Sequence, residues 1–173
     1  MKKPKLTPLK GGKSGGPGTS DQDKEDRDRE MQEFFNRVTV DVLARTLWGE
    51  ARGEGTEGLQ AVASVVLNRV KIAQKRGKFW WGNTIIQVCQ KPYQFSCWNR
   101  SDPSFKRLQE VDERNLYFAT SLRIARRAVA GVLEDITHGA THYHANYVKP
   151  YWAKGQEPVA TIGNHIFYKL VEG

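Results

Sequence analysis

A chain of 173 residues with 39% apolar side chains is long enough for about one domain with a core of ordinary size. Its net charge of +8 suits an anionic partner: nucleic acid, a membrane surface or an acidic cell-wall polymer. Zinc-finger spacing, RNP-like aromatic motifs and a dense basic helix are all missing, so no nucleic acid is expected as partner. No apolar run approaches the roughly 18 residues of a membrane-spanning helix. The N-terminal lysines have no apolar stretch behind them, so no secretory signal is read and synthesis in a cytoplasm is expected. Cys89 and Cys97 are too few for a disulfide scaffold. They are expected as buried thiols, with one disulfide open to them in an oxidising space.

Residues 1–20 hold five lysines and no acid, spaced by Gly11-Gly12 and Gly15-Gly16-Pro17-Gly18. Residues 21–30 alternate in charge and carry no apolar side chain. Such a stretch cannot offset the entropy of ordering, so 1–30 reads as a flexible tail. It is either a linker or a loose electrostatic contact to anionic envelope polymers. The folded domain spans 31–173. Phe34, Phe35, Val38 and Val40 lead into an opening helix with Thr39 or Asp41 as N-cap.

Thr56 caps a second helix, whose Leu59, Val62, Ala63, Val66 and Val70 form an apolar stripe; no chemistry is assigned to 61–70. Phe79, Trp80 and Trp81 cluster in a loop, and Asn83 caps a short helix over 84–90. Residues 93–98 alternate aromatic and polar side chains, as a strand or a binding loop does. Asp102 and Pro103 read as N-cap and first position of the next helix. A long helix over 115–130 stops at Gly131. Residues 141–148 and 160–169 are rich in β-branched and aromatic side chains, which predicts two strands joined by a loop with Pro150 and Trp152.

Leu43, Leu47 and Glu50 fall at i, i+4 and i+7, so a helix places all three on one face. A carboxyl in an apolar wall holds its proton to higher pH, which a general acid requires. The alternative is a last-turn surface residue paired with Arg45 or Arg52. Gly53 and Gly55 stop the helix and let a ligand approach the backbone. One buried acid beside aromatic walls suits glycosidic cleavage, in which a proton goes to the leaving oxygen as an oxocarbenium-like centre forms. Glu54 is the nearest second carboxylate; a one-acid mechanism serves if the substrate supplies its own nucleophile.

His142-x-His144 on a strand places both imidazoles on one face, where His165 or Glu54 could complete a three-ligand zinc site. The H-E-x-x-H motif is absent. The preferred reading is therefore imidazoles hydrogen-bonded at a cleft, with no metal and no cofactor. Five tryptophans and six tyrosines, several beside Gln94, Asn99, Asn146 and Asn164, suit a sugar chain. Phe95, Trp98 and Tyr143 are assigned to the cleft; Trp48, Phe35 and Phe167 to the core. A Ser96, His142 and Asp102 triad lacks the G-x-S-x-G elbow.

On these residues the sequence resembles the SleB-type cell-wall hydrolases, the family that includes spore-cortex-lytic enzymes. The blocks are Leu43-Ala-Arg, Gly49-Glu-Ala-Arg-Gly-Glu54, Gln60-Ala-Val-Ala, Val66-Leu-Asn-Arg-Val70 and Gln94-Phe-Ser96. Ala140-Thr-His-Tyr-His-Ala145, Pro150-x-Trp-Ala153 and Ile162-Gly-Asn-His-Ile-Phe-Tyr168 complete them, from about Val40 to Lys169. The resemblance implies an α+β class: a mainly helical lysozyme/lytic-transglycosylase-like domain with a small antiparallel β-sheet. It implies peptidoglycan glycan strands as substrate and Glu50 as the essential acid. In lytic transglycosylases that one acid protonates the bond between N-acetylmuramic acid and N-acetylglucosamine. It then acts as base on the muramic C6 hydroxyl and closes a 1,6-anhydro ring. A muramidase would use water instead.

Glu54 is expected to support Glu50, by fixing the loop or tuning its pKa. The expected substrate-binding set is Gln94, Phe95, Ser96, Trp98, His142, Tyr143, His144, Asn146 and Asn164. Secreted members carry a signal peptide and often a wall-binding domain. The expectation here is instead a monomeric bacteriophage lysin, made in the host cytoplasm and released to the wall and periplasm by a holin or carried in a virion. The alternatives are a zinc-dependent N-acetylmuramoyl-L-alanine amidase using His142 and His144, and a non-catalytic cell-wall-binding or nucleic-acid-binding module.

Overall fold

A computed structural model describes residues 20–172. The helices are α1 (Asp21–Ala51), α2 (Gly55–Lys75), α3 (Ile85–Gln90), α4 (Phe105–Glu110) and α5 (Leu116–Val129). The strands are β1 (His142–Ala145), β2 (Ala160–Ile162) and β3 (His165–Tyr168), and short 3-10 turns occupy Ser96–Trp98 and Tyr151–Ala153. The chain divides between Phe34 and Phe35 into two units. None of the helices among the described residues is long and apolar enough to cross a membrane.

In the first unit, residues 21–30 are helical rather than flexible. The cause is charge spacing, not apolar pattern. Ser20 Oγ accepts from the Asp23 N–H at 3.1 Å, and Asp23 Oδ2 accepts from the Ser20 N–H at 3.0 Å, a reciprocal cap. Asp21 and Asp23 sit at the positive end of the helix. Arg29 and Gln22 each reach Asp26 at 3.1 Å, pairs worth a few tenths of a kcal/mol apiece. The basic stretch 1–19 lies outside the described residues.

The second unit holds the core. Helix α1 runs through Thr39 and Asp41, so neither is an N-cap. Thr39 Oγ1 donates to the Phe35 carbonyl at 2.8 Å, and Asp41 pairs with Arg45 at 2.9 Å. Leu43 and Leu47 of α1, Leu59, Val62 and Val66 of α2, Trp81, Val88 of α3 and Phe118 of α5 form one buried cluster. Helix α2 is its axis and packs against α3, α5 and β2. Ala61 and Val65 on another side of α2 meet Ala140 and Phe167 in a smaller cluster beneath the sheet. Phe35, expected in the core, is 48% exposed, whereas Trp48 and Phe167 are buried. Both cysteines are free and buried.

Several caps fall a residue or two from where they were expected. Glu54, not Thr56, precedes α2. Thr84 caps α3 by accepting from the Gln87 N–H at 3.2 Å. Asp102 sits before α4 and accepts from the Ser104 N–H at 2.8 Å. Residues 93–98 are no strand: their end is the Ser96–Trp98 turn.

The sheet is antiparallel in the order β1-β3-β2. Residues 160–169 are a hairpin rather than one strand, turning at Gly163, whose φ of +56° favours glycine. Tyr143 faces Phe167 and His144 faces Ile166 across the ladder. Tyr143, His165 and Phe167 therefore share one face, and His142, His144 and Tyr168 the other. Fold class and sheet are those expected: mainly helical, with a small antiparallel sheet.

Candidate active site

The last turn of α1 carries Glu50 out of the apolar wall made by Leu43 and Leu47, both fully buried. Gly49, just before it, faces the Ser96–Trp98 turn so closely that a Cβ there would stand 2.6 Å from Cys97 Cβ. This approach seats the carboxyl between the turn and the sheet. Tyr143 Oη donates to Glu50 Oε2 at 2.9 Å, and the Cys97 N–H reaches Oε1 at 3.5 Å.

Burial raises the Glu50 pKa above the ordinary glutamate value, against the lowering effect of the Tyr143 and Cys97 hydrogen bonds; the Asp102 charge adds a smaller push upward. Burial and the same carboxylate push the Tyr143 hydroxyl well above its usual value, so it stays a donor. The carboxyl is thus buried in a way that favours its protonated form and hydrogen-bonded in a way that favours its charged form.

Glu50 opens into a cleft of about 720 Å³. Gln94, Phe95, Ser96, His142, Tyr143 and His144 line it, as expected. Trp98, Asn146 and Asn164 do not. The 3-10 turn sends the Trp98 indole to Thr46, whose Oγ1 accepts from its Nε1 at 2.9 Å. Asn164 is taken up by the hairpin turn, and the exposed Asn146 donates its N–H to the Asn164 carbonyl at 2.7 Å.

The cleft is also lined by Arg69, Trp80, Tyr93, Ala145, Tyr147, Val148, Trp152 and His165, none of them in the expected substrate-binding set. Trp80 is 53% exposed and Tyr93 87%, so both offer flat faces to a ligand. Tyr93 holds a φ of +64°, a left-handed conformation unusual for a side chain of its size. Trp152 packs against both His142 and His144 at 5.5 and 5.6 Å between ring centroids. The exposed aromatics near glycine and proline were the signal that could have found Trp80, Tyr93 and Trp152. Nothing in an apolar helix stripe marks Arg69.

Glu54 points elsewhere. Its Oε2 accepts from the Asn164 N–H at 2.8 Å and its Oε1 from Asn164 Nδ2 at 3.3 Å. The Asn164 backbone N–H, above all, holds the Glu54 pKa below the ordinary value. Glu54 therefore holds the β2–β3 turn, and the shift of Glu50 is set by burial, Tyr143, Cys97 and Asp102. No set of three His, Cys, Asp or Glu groups among the described residues could hold a metal ion. By the strand register His165 leaves the sheet on the face opposite His142 and His144, although all three line the cleft. Both ring nitrogens of His144 are engaged, with the Ala145 carbonyl at 2.8 Å and Tyr168 Oη at 3.0 Å.

A helical, lysozyme-like domain with one cleft carboxylate and a small sheet is the class that fold and site define. The chain belongs to the Cell Wall Hydrolase family, whose sequence model matches residues 53–168. Among solved structures it is similar to the catalytic domain of the germination-specific lytic transglycosylase SleB from Bacillus anthracis. That match has a TM-score of 0.59 and 27% identity, covering 76% of this chain and 93% of that one. The Bacillus cereus SleB catalytic domain gives 0.58 and 26%, covering 77% and 91%.

The spore cortex-lytic enzyme of Bacillus cereus is 26% identical over 161 residues, 91% of this chain and 54% of that protein. The Bacillus subtilis enzyme is 27% identical over 136 residues, 77% and 38% respectively. The chain thus spans about half the length, or less, of these relatives.

Proposed function

We propose that this chain is a peptidoglycan glycosidase that cuts the bond between N-acetylmuramic acid and N-acetylglucosamine as a lytic transglycosylase. The observation that carries the reading is that Glu50 is the one carboxylate among the described residues lining the cleft. Two-carboxylate hydrolysis needs a second acid within about 5–10 Å on the other side of the sugar, and Glu54 is bound to Asn164 instead. A single acid suffices when the nucleophile belongs to the substrate.

Glu50 gives its proton to the glycosidic oxygen and the C1–O bond of the muramic residue breaks, leaving an oxocarbenium-like C1. The Glu50 carboxylate, held by Tyr143 and Cys97, then takes the proton of the C6 hydroxyl. O6 closes on C1 to form the 1,6-anhydro ring, and Glu50 is protonated again for the next cut. The likeness to the SleB lytic transglycosylase domain supports this reading.

Mass spectrometry of muropeptides released from purified sacculi tests it. Anhydromuramic ends are expected; reducing muramic ends mean a muramidase, and free stem peptides an amidase. Glu50→Gln is expected to stop release while leaving sacculus binding intact. Release at the wild-type rate sinks the mechanism. Delivery by a bacteriophage lysis system is the proposed route to the wall. Restored lysis on replacing the endolysin of a lysis-defective phage is its expected result.

A further inference from the structure

We propose that Arg69 is a positioning residue that keeps both hydrogen-bond donors on Glu50 by tying strand β1 to the turn that carries Cys97. The proposal rests on Glu50 being the acid. Arg69 lies at the wall of the cleft and is 6% exposed. No carboxylate pairs with it among the described residues. Its Nη1 has no partner there and is sealed from solvent. An unpaired buried cation is less favourable than an apolar side chain of the same volume, so packing alone does not account for it. Sites that break a local rule in this way are where function is expected.

What the guanidinium touches shows what it holds. Nε donates to the Thr141 carbonyl at 2.8 Å, at the entry to β1 and two residues before Tyr143. The charge lies over the Phe95 ring at 5.6 Å, and Phe95 is the N-cap of the Ser96–Trp98 turn, two residues before Cys97. It also lies over the Trp81 ring at 5.2 Å, and Trp81 Nε1 donates to the Arg69 main-chain carbonyl at 2.9 Å, which holds that ring against α2. One planar group therefore ties the strand that supplies Tyr143 to the turn that supplies Cys97. Among the described residues, no ion pair joins it to Glu50.

A second consequence can be measured apart from catalysis. The titratable groups facing Arg69 are Tyr143 and His142 of β1 and Cys89 of α3. Burial first, and the Arg69 charge second, hold His142 down to about 4. His142 is thus a reporter of the guanidinium.

The test measures kcat and KM on soluble glycan strands, and the His142 titration by NMR without substrate, in Arg69→Met and Arg69→Lys. In Arg69→Met, kcat is expected to fall at least tenfold with KM within twofold, and His142 to titrate at higher pH. In Arg69→Lys, which keeps the charge but not the planar fork, His142 is expected to stay low while kcat recovers only in part. Wild-type kcat in Arg69→Met overturns the proposal. So does a rise in KM alone, which would make Arg69 a sugar contact. Should Arg69→Met not fold, wild-type kcat in folded Arg69→Lys overturns it equally. Glu50→Gln, run alongside, separates the two ideas. Activity surviving there strikes the proposed function, whereas its loss with full kcat in Arg69→Lys strikes only the role of Arg69.

Discussion

Tyr143 Oη donates to Glu50 Oε2 across 2.9 Å, joining two residues 93 positions apart in the chain. The bond favours the charged carboxylate and so opposes the burial that raises its pKa. Tyr143→Phe removes the donor and leaves the desolvation. The Glu50 pKa then rises further, and the alkaline limb of the pH–rate profile, where the acid loses its proton, moves to higher pH. A hydrogen bond to a charged group contributes about 1.5–3 kcal/mol, so kcat at the optimum is expected to fall roughly 10- to 100-fold. A limb that stays put refutes the coupling.

Gly49 is where α1 and the Ser96–Trp98 turn come closest. A Cβ there would stand 2.6 Å from Cys97 Cβ, 2.9 Å from its Sγ and 3.2 Å from Leu108 Cδ1. Gly49→Ala must push the turn off the helix and take the Cys97 N–H away from Glu50. Overpacking of this kind costs about 1–3 kcal/mol. Denaturant melts should show that loss, and kcat should fall with it. A variant of wild-type stability would show that the turn moves freely.

Glu54 gives a stability signature with a defined sign. Its folded pKa lies below the ordinary value through the Asn164 N–H. The stabilisation is therefore present above the unfolded pKa and lost as pH falls through the folded one. Glu54→Gln should lower the melting temperature at pH 7, by a small amount because the carboxylate is largely solvated. Once the pH has fallen below the folded pKa of Glu54, the two proteins should melt together. An equal gap at both pH values would mean that the charge is irrelevant.

Chelation separates the glycosidase from the zinc amidase. No three His, Cys, Asp or Glu groups among the described residues are placed to hold a metal ion, and both nitrogens of His144 are already hydrogen-bonded. Release of muropeptides is expected to continue unchanged after dialysis against EDTA. A loss restored by zinc would contradict the geometry.

The parts of fold and site legible in the sequence are those written in periodicity. Glu50 was visible because Leu43 and Leu47 set the helix face on which it sits. The β-rich end was visible through its branched and aromatic residues, although its hairpin was read as one strand. Residues 21–30 were misread because their helix rests on a two-residue cap and charge spacing, with no apolar face to signal it. Trp98, Asn146 and Asn164 were assigned to the cleft because the side chain's direction at a turn does not follow from its neighbours. Arg69 was hidden because a charge in an apolar stripe looks like a solvated edge until tertiary contacts show what surrounds it.

The sheet order β1-β3-β2 has a consequence for timing. Strand β1, which bears Tyr143, has ladder bonds only to β3, the last strand to be made. As the chain leaves the ribosome, Glu50 emerges early, inside a helix that can form at once, but with neither its burial nor its donors complete. Until His165–Tyr168 has paired with β1, no ladder bond holds Tyr143 against Glu50. Under the proposed mechanism, a chain cut before His165 lacks the strand pairing that holds Tyr143 against Glu50. Fragments ending before His165 should be inert even where their helices form.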